Sequence, residues 1–168
     1  MGSINIPQRE YTNPDIYAPH HKAFTSQPLP ANPSDWITRA REVASILAQD
    51  VSQRDRENKS PAAEVSLLKS SGLLKVLGPK EFGGGGESWE TGYKLIREVA
   101  KGDGSIGMLL GYHLLWSTTA NVVGTEAQAR GVQRAVVEEN LVCLMTFALF
   151  TQGETWTDHV SHSSSVAL

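Results

Sequence analysis

One cysteine, Cys143, stands in 168 residues. A lone thiol excludes an internal disulfide framework and any multi-cysteine metal site, and it fits a reducing compartment; Cys143 reads as an inert thiol. Basic residues are in no excess either. Fifteen Lys and Arg against eighteen Asp and Glu give a net charge of −3, which removes the electrostatic reason for nucleic acid or an anionic membrane as partner. Long apolar runs are missing: Leu141 to Phe150 is apolar but far too short to span a bilayer. The first thirty residues are polar and proline-rich, without the apolar stretch of a signal peptide. Ile6 stands where a myristoylation signal wants Ser or Thr, and Val166-Ala167-Leu168 is not the peroxisomal tripeptide. The expected location is cytoplasmic.

What proline there is lies at one end. Six of the eight prolines, at positions 7, 14, 19, 28, 30 and 33, fall within residues 1–33. Because proline removes backbone donors and interrupts both helix and sheet, this segment is expected to be a disordered arm, with His20 and His21 solvated. A first helix is expected from Asn32 or Ser34 to about Asn58, with Trp36, Ala40, Val43, Leu47 and Val51 as its inner stripe. Ser60-Pro61 opens a short second helix carrying Val65, Leu67 and Leu68, which ends where Gly72 can take a left-handed conformation. Ser88 caps a third, with Trp89, Tyr93, Ile96 and Ala100 at helical spacing. A fourth begins at Asp103 and is apolar nearly all round from Ile106 to Trp116, so it should be buried on several sides. Thr125 and Gln128 form a capping box for a fifth, with Val132 and Val136 inward. Nothing between 34 and 140 alternates at period two, so the fold class is all-α, with residues 34–140 as a helical domain.

Two glycine patterns invite a cofactor and fail on context. Gly102 to Gly107 reads G-x-G-x-x-G, but a helical pattern rather than a strand precedes it, so a turn capped by Asp103 or Ser105 is the stronger reading. Gly83 to Gly86 lacks the Lys-Ser or Lys-Thr of a phosphate loop. It is either a flexible surface turn or the wall of a ligand site with Phe82 as an apolar contact. On the fourth helix Met108, Tyr112 and Trp116 are spaced i, i+4 and i+8, beside a stripe of Gly104, Gly107 and Gly111. From spacing alone this is core packing before it is a pocket, and His113 is a core histidine before it is a base. There is no Ser-His-Asp set, no metal cluster and no paired carboxylate.

Three segments, VSQRDRENK, SGLLKVLGPKEFGGGGESW and AKGDGSIGMLLGYHLL, in this order and spacing, resemble the N-terminal helical domain of the acyl-CoA dehydrogenase superfamily. Within it they are most similar to the flavin-dependent desulfurizing monooxygenases. The resemblance covers about Ser34 to Asn140. It implies a longer enzyme with a middle β domain and a C-terminal helical domain that drives tetramer formation. Flavin, FMN or FAD, would sit largely on residues beyond this stretch, and reduced flavin with oxygen would oxygenate a small apolar substrate at sulfur or another soft centre. Phe82, Gly83, Met108, Tyr112, His113 and Trp116 are the implied pocket residues, with Tyr112 the candidate catalytic group. Met108 departs from the branch, which carries a pocket histidine there, and a thioether neither gives nor takes a proton.

The alternatives are an acyl-CoA dehydrogenase acting on an acyl thioester, and a non-catalytic helical fragment that acts only by association. From about Leu141 the period and the family likeness stop together, so residues 141–168 are expected to be an irregular tail read through an unspliced intron or a frameshift.

Overall fold

The computed structural model describes residues 10–143. Among them the chain forms seven α-helices and no strand: α1 (Ala18–Thr25), α2 (Pro33–Leu47), α3 (Val51–Glu57), α4 (Ala62–Ser70), α5 (Trp89–Gly102), α6 (Gly104–Val123) and α7 (Glu126–Glu138), with 3-10 turns at Pro14–Tyr17, Leu73–Lys75 and Lys80–Phe82. The all-α expectation holds. Residues 1–9 and most of the C-terminal tail, 144–168, lie outside the described residues.

The helix starts follow from side-chain caps. Asn32 accepts from the Asp35 amide, Ser88 from Thr91, and Asp103 from both Ser105 and Ile106, while Thr125 and Gln128 close a reciprocal capping box. Each satisfies amides that the first helical turn leaves without partners. Gly72 sits at φ 77°, the left-handed conformation expected of it after α4.

The proline-rich arm is corrected between residues 14 and 25. Pro14 follows the capping Asn13, Pro19 lies in the first turn of α1, and the segment buries Tyr17 and Phe24 in the main core. Proline lacks only an amide that the first turn does not use, so it starts helices as readily as it breaks them. Arg39 holds the end of this segment, donating to the Gln27 side chain at 2.8 Å and the Pro28 carbonyl at 3.2 Å.

Two helical expectations shift. The long first helix divides at Ala48–Asp50 into α2 and α3, because the carbonyl of Leu47 accepts from the Arg54 side chain at 3.0 Å instead of continuing the helical ladder. On α5 the inner face carries Gly92, Leu95 and Val99, whereas Ala100 faces solvent and Tyr93 is 65% exposed. Glycine contributes little to an apolar count yet decides which side can approach a neighbour. A side chain at Gly102 would strike the Ala44 backbone, and one at Gly107 would meet Ala100 at 2.6 Å.

Arg54 is the polar centre of the bundle. Its guanidinium pairs with Asp50, donates to the Tyr17 hydroxyl at 2.6 Å and to Asp103 at 2.6 Å, and lies 3.2 Å from Glu64. Glu64 also accepts from the Thr12 hydroxyl at 2.7 Å, and that hydroxyl accepts the Ala63 amide at 2.9 Å at the start of α4. One side chain therefore joins the N-terminal segment, the end of α2, α3, α4 and the cap of α6. Burial opposes its charge, but hydrogen bonding to Asp103 and the surrounding negative charge win and hold the guanidinium above its ordinary range. Burial likewise opposes the charge of Asp103, yet its bonds to Ser105 and Arg54 hold the carboxyl below the usual range.

His113 is a second internal tie. It is fully buried, donating from Nε2 to the Leu74 carbonyl at 2.9 Å and accepting the Cys143 amide at Nδ1 at 3.1 Å. This fixes the tautomer, because only a neutral ring can do both. It also anchors the chain beyond α7. Leu141 donates to the Ala135 carbonyl and Cys143 is buried beside Val132 and Val136, so the packed body extends past the expected boundary at Asn140 to Cys143. Burial pushes the Cys143 thiol up to about 11, which keeps it protonated and unreactive at neutral pH.

Two outcomes are expected. Arg54→Met should lower the unfolding free energy in urea by about 3–5 kcal/mol at neutral pH, since Asp50, Glu64 and Asp103 lose their shared cation. Burial lowers His113 from 6.5 to about 4, so the unfolded chain binds the extra proton between those values. Stability should be full above pH 6.5 and fall as pH drops toward 4, this group contributing roughly 3 kcal/mol. Urea titrations across this range should show a correspondingly shallower decline in His113→Asn.

Candidate functional site

The six residues expected to form a pocket wall lie on three different surfaces. Met108 and Tyr112 project from the outer face of α6 and are exposed; no hydrogen bond to the Tyr112 hydroxyl occurs among the described residues. His113, one residue on, points inward and uses both ring nitrogens within the protein. It leaves neither to a ligand in this arrangement.

Phe82, Gly83 and Trp116 belong with α7. Phe82 and Trp116 pack against a small cluster built on Ala120, Val132, Val136 and Val137. The guanidinium groups of Arg130 and Arg134 each stand 5.3 Å from the centre of the Phe82 ring. Arg130 also pairs with Glu81 at 3.0 Å, so these cations stack on the ring instead of pointing into an open site. Gly83 takes φ 86° at the end of the 3-10 turn and faces Val137.

The four-glycine loop is not a free turn, although Gly83 and Gly86 are exposed. Gly84 donates to Pro79, Gly85 to Lys75, Gly86 to Gly78 and Glu87 to Val76, all between 2.8 and 3.0 Å. A side chain at Gly85 would fall 2.7 Å from the buried Trp36 ring. Glycine is needed there so that the loop backbone can lie on tryptophan. The loop closes the core, and by doing so fixes the 3-10 turn that carries Phe82.

The outer face of α6 is the open surface with chemistry to offer. The helix runs for twenty residues without a Lys, Arg, Asp or Glu. Its outer side shows a thioether, a phenol and aliphatic groups: Met108, Tyr112, Leu115 and Val122. Such a surface suits an apolar or planar group, with one hydroxyl available to hydrogen-bond.

A separate cleft of about 540 Å³ opens beside the first turn of α6, lined by Thr12, Arg54, Lys59, Glu64 and Asp103 among others. None of the six expected residues lines it. The apparent dinucleotide fingerprint ends there as a helix cap, with Asp103 accepting the amides of Ser105 at 2.9 Å and Ile106 at 3.1 Å.

Sequence reasoning missed Arg54 and Glu64, which organise the bundle. Asp50 and Arg54 stand four apart, which signals a helical ion pair; nothing local signals Glu64, Asp103 or Tyr17 as further partners. No group of three or more potential metal ligands occurs among the described residues, and no helix among them is long and apolar enough to cross a membrane.

Comparison with known proteins matches this architecture to a family. Residues 37–139 match the model of the acyl-CoA dehydrogenase N-terminal domain. Dibenzothiophene monooxygenase of Rhodococcus erythropolis is 35% identical over 114 residues, which is 68% of this chain and 27% of that protein. A probable FMNH2-dependent monooxygenase, SfnC, of Pseudomonas putida is 37% identical over 95 residues, 56% of this chain and 24% of that protein. Among solved structures, TdsC from Paenibacillus sp. A11-2, crystallised with FMN and indole, superposes with a TM-score of 0.61 at 34% identity over 64% of this chain and 27% of that one. The chain thus spans about a quarter of the length of these relatives. Bundle, motifs and matched span agree: the chain belongs to the acyl-CoA dehydrogenase N-terminal domain family.

Proposed function

We infer that this chain is the N-terminal portion of a flavin-dependent oxidoreductase of the monooxygenase branch, cytoplasmic and tetrameric in its full form, which oxygenates a small apolar substrate. The carrying observation is the uncharged outer face of α6, with Tyr112 and Met108 open to solvent, in a chain whose relatives include an enzyme solved with FMN and indole. Residues 34–143 would form the N-terminal domain, and the α6 face one wall of the pocket. The branch is supported by identities of 35% and 37% to two monooxygenases, against 25% over 79 residues to a putative acyl-CoA dehydrogenase, YdbM, of Bacillus subtilis.

The residues present fit one wall of a flavin site and not its holder. Met108, Tyr112 and Leu115 can lie against a planar apolar ring, but no cation on α6 matches a phosphate. Arg130 and Arg134, the nearest cations to Phe82, are committed to that ring. FMN or FAD would supply electron transfer and oxygen activation in the complete enzyme. This chain's contribution is to exclude water along α6 and to offer the Tyr112 hydroxyl to a polar atom of substrate or cofactor.

Two measurements test the reading. The purified 168-residue chain should carry no visible flavin absorbance, and stoichiometric flavin would overturn the division of labour. Residues 34–143 grafted into the Rhodococcus dibenzothiophene monooxygenase should support oxygenation fuelled by reduced FMN. In that chimera Tyr112→Phe should lower product per flavin oxidised about tenfold, with peroxide rising, as expected for one lost hydrogen bond in the transition state. Unchanged coupling would remove Tyr112 from the mechanism, and thioester-dependent flavin reduction by the chimera would favour the dehydrogenase alternative.

A further inference from the structure

The chain leaves α7 through a short segment that is held at both ends. Asn140 takes φ 54°, the left-handed turn that closes a helix, and the Leu141 amide reaches back to the Ala135 carbonyl at 3.2 Å. Val142 then packs against the main core while Cys143 enters the small cluster of Ala120, Val132 and Val136, so successive side chains turn to opposite sides. The Cys143 amide donates to Nδ1 of His113 at 3.1 Å, and Nε2 of the same ring donates to the Leu74 carbonyl at 2.9 Å.

An aliphatic residue would fill this core position as well. The other large inward residues of α6 are Ile106, Leu110 and Leu114, and His113 is fully buried among them. What the imidazole adds is direction: the Leu74 carbonyl can only accept, so it holds the proton on Nε2 and leaves the Nδ1 lone pair aimed at one backbone amide.

We propose that His113 is a positioning residue for the oxygenation reaction, fixing the register between the chain that leaves at Cys143 and the helix that carries Tyr112. Tyr112 and His113 are neighbours on opposite sides of α6, so one peptide unit, one ring and one hydrogen bond separate the phenol-bearing residue from the exit segment. The match to the N-terminal family model ends at residue 139. In a longer protein of this family the remaining parts follow from this segment, and with them most of the flavin site. A rotation at Cys143 would move those parts relative to the Tyr112 hydroxyl. The role rests on the monooxygenase reading above.

Two amide side chains divide the two bonds of the ring. His113→Asn keeps an acceptor near the place of Nδ1, and His113→Gln keeps a donor near the place of Nε2. In the 168-residue chain, His113→Gln should speed the reaction of the Cys143 thiol with a pyridyl disulfide about tenfold, as expected for local opening after one lost hydrogen bond, while His113→Asn stays within about twofold of the parent. Amide exchange at Leu110 and Leu114 should not change in His113→Gln, which separates release of the exit segment from loosening of α6. In the Rhodococcus chimera, His113→Gln should lower product per flavin oxidised about fivefold and His113→Asn should restore it. Cys143→Pro deletes the same hydrogen bond from the other side and should lower the coupling equally, so the test stands even where the glutamine variant does not fold. Equal thiol reactivity in the Gln and Asn variants overturns the proposal. So do faster exchange throughout α6, and an oxygenating chimera whose coupling is unchanged by Cys143→Pro or is the same in both His113 variants. A parent chimera that never oxygenates is a different failure: it overturns the monooxygenase reading itself, and with it this role of His113, even where the thiol pattern holds.

Discussion

The guanidinium of Arg54 is the constraint on which the bundle is built. Around it stand Asp50, Glu64, Asp103, the Tyr17 hydroxyl and the Leu47 carbonyl, drawn from the neighbouring residues 47 and 50 and from three distant positions, 17, 64 and 103. Three carboxylates around one arginine are tolerable only because other donors share the load. Thr12 donates to Glu64, while the Ser105 and Ile106 amides and the Ser105 hydroxyl donate to Asp103. Removing Arg54 leaves Asp50, Glu64 and Asp103 without their shared cation, and that penalty exceeds the net gain from the intact network. Such a network selects one arrangement of helices more than it adds to stability. Its consequence for function is the position of α6, whose first residue follows directly on Asp103.

From that fixed start α6 has two unlike sides. Inward, Ile106, Leu110, Leu114 and Ala120 are buried with His113, which ties the helix to Leu74 and to Cys143. Gly107 lets α5 approach to the distance at which a methyl group would collide with Ala100. Outward, the helix is as apolar as it is inward. The expectation that it would be buried on several sides follows from its composition, but among the described residues Met108, Tyr112, Leu115 and Val122 stay exposed. A helix with so little amphipathic contrast is stable here through the packing of one side only.

Much of the fold was legible in the sequence, and the reasons are local. Ser88, Asp103, Thr125 with Gln128, and Gly72 act through bonds to backbone within three or four residues, so a short window contains all the physics. The N-terminal segment was not legible, because Pro14 and Pro19 serve equally as breakers and as first-turn residues, and the burial of Tyr17 and Phe24 that decides between them depends on α2 and α4. The break after Leu47 was hidden for the same reason, since it depends on Arg54 reaching back seven residues. The candidate site was half legible. Met108 and Tyr112 were rightly placed on one face, but steps of four drift by about 40° each on a helix of 3.6 residues per turn, so Trp116 lies about 80° round from Met108. It turns into the cluster beneath α7, and Leu115, seven residues from Met108, takes its place on the outer stripe.

That geometric drift separates two kinds of surface on one helix. Residues repeating every four, Met108 to Tyr112 to Trp116, wind from solvent into the protein. Residues repeating at 3.5 stay on one line along the exposed side of α6. Tyr112 belongs to both sets. In a complete enzyme of the proposed kind, a neighbour that touched Leu115 and Val122 but stood off near Met108 would leave the Tyr112 hydroxyl in reach of a ligand. A flexible thioether at Met108 would fit that demand. Methionine fills space without fixing a hydrogen bond, so if this face is the proposed pocket wall it would be shaped by packing, with the Tyr112 phenol as its polar group.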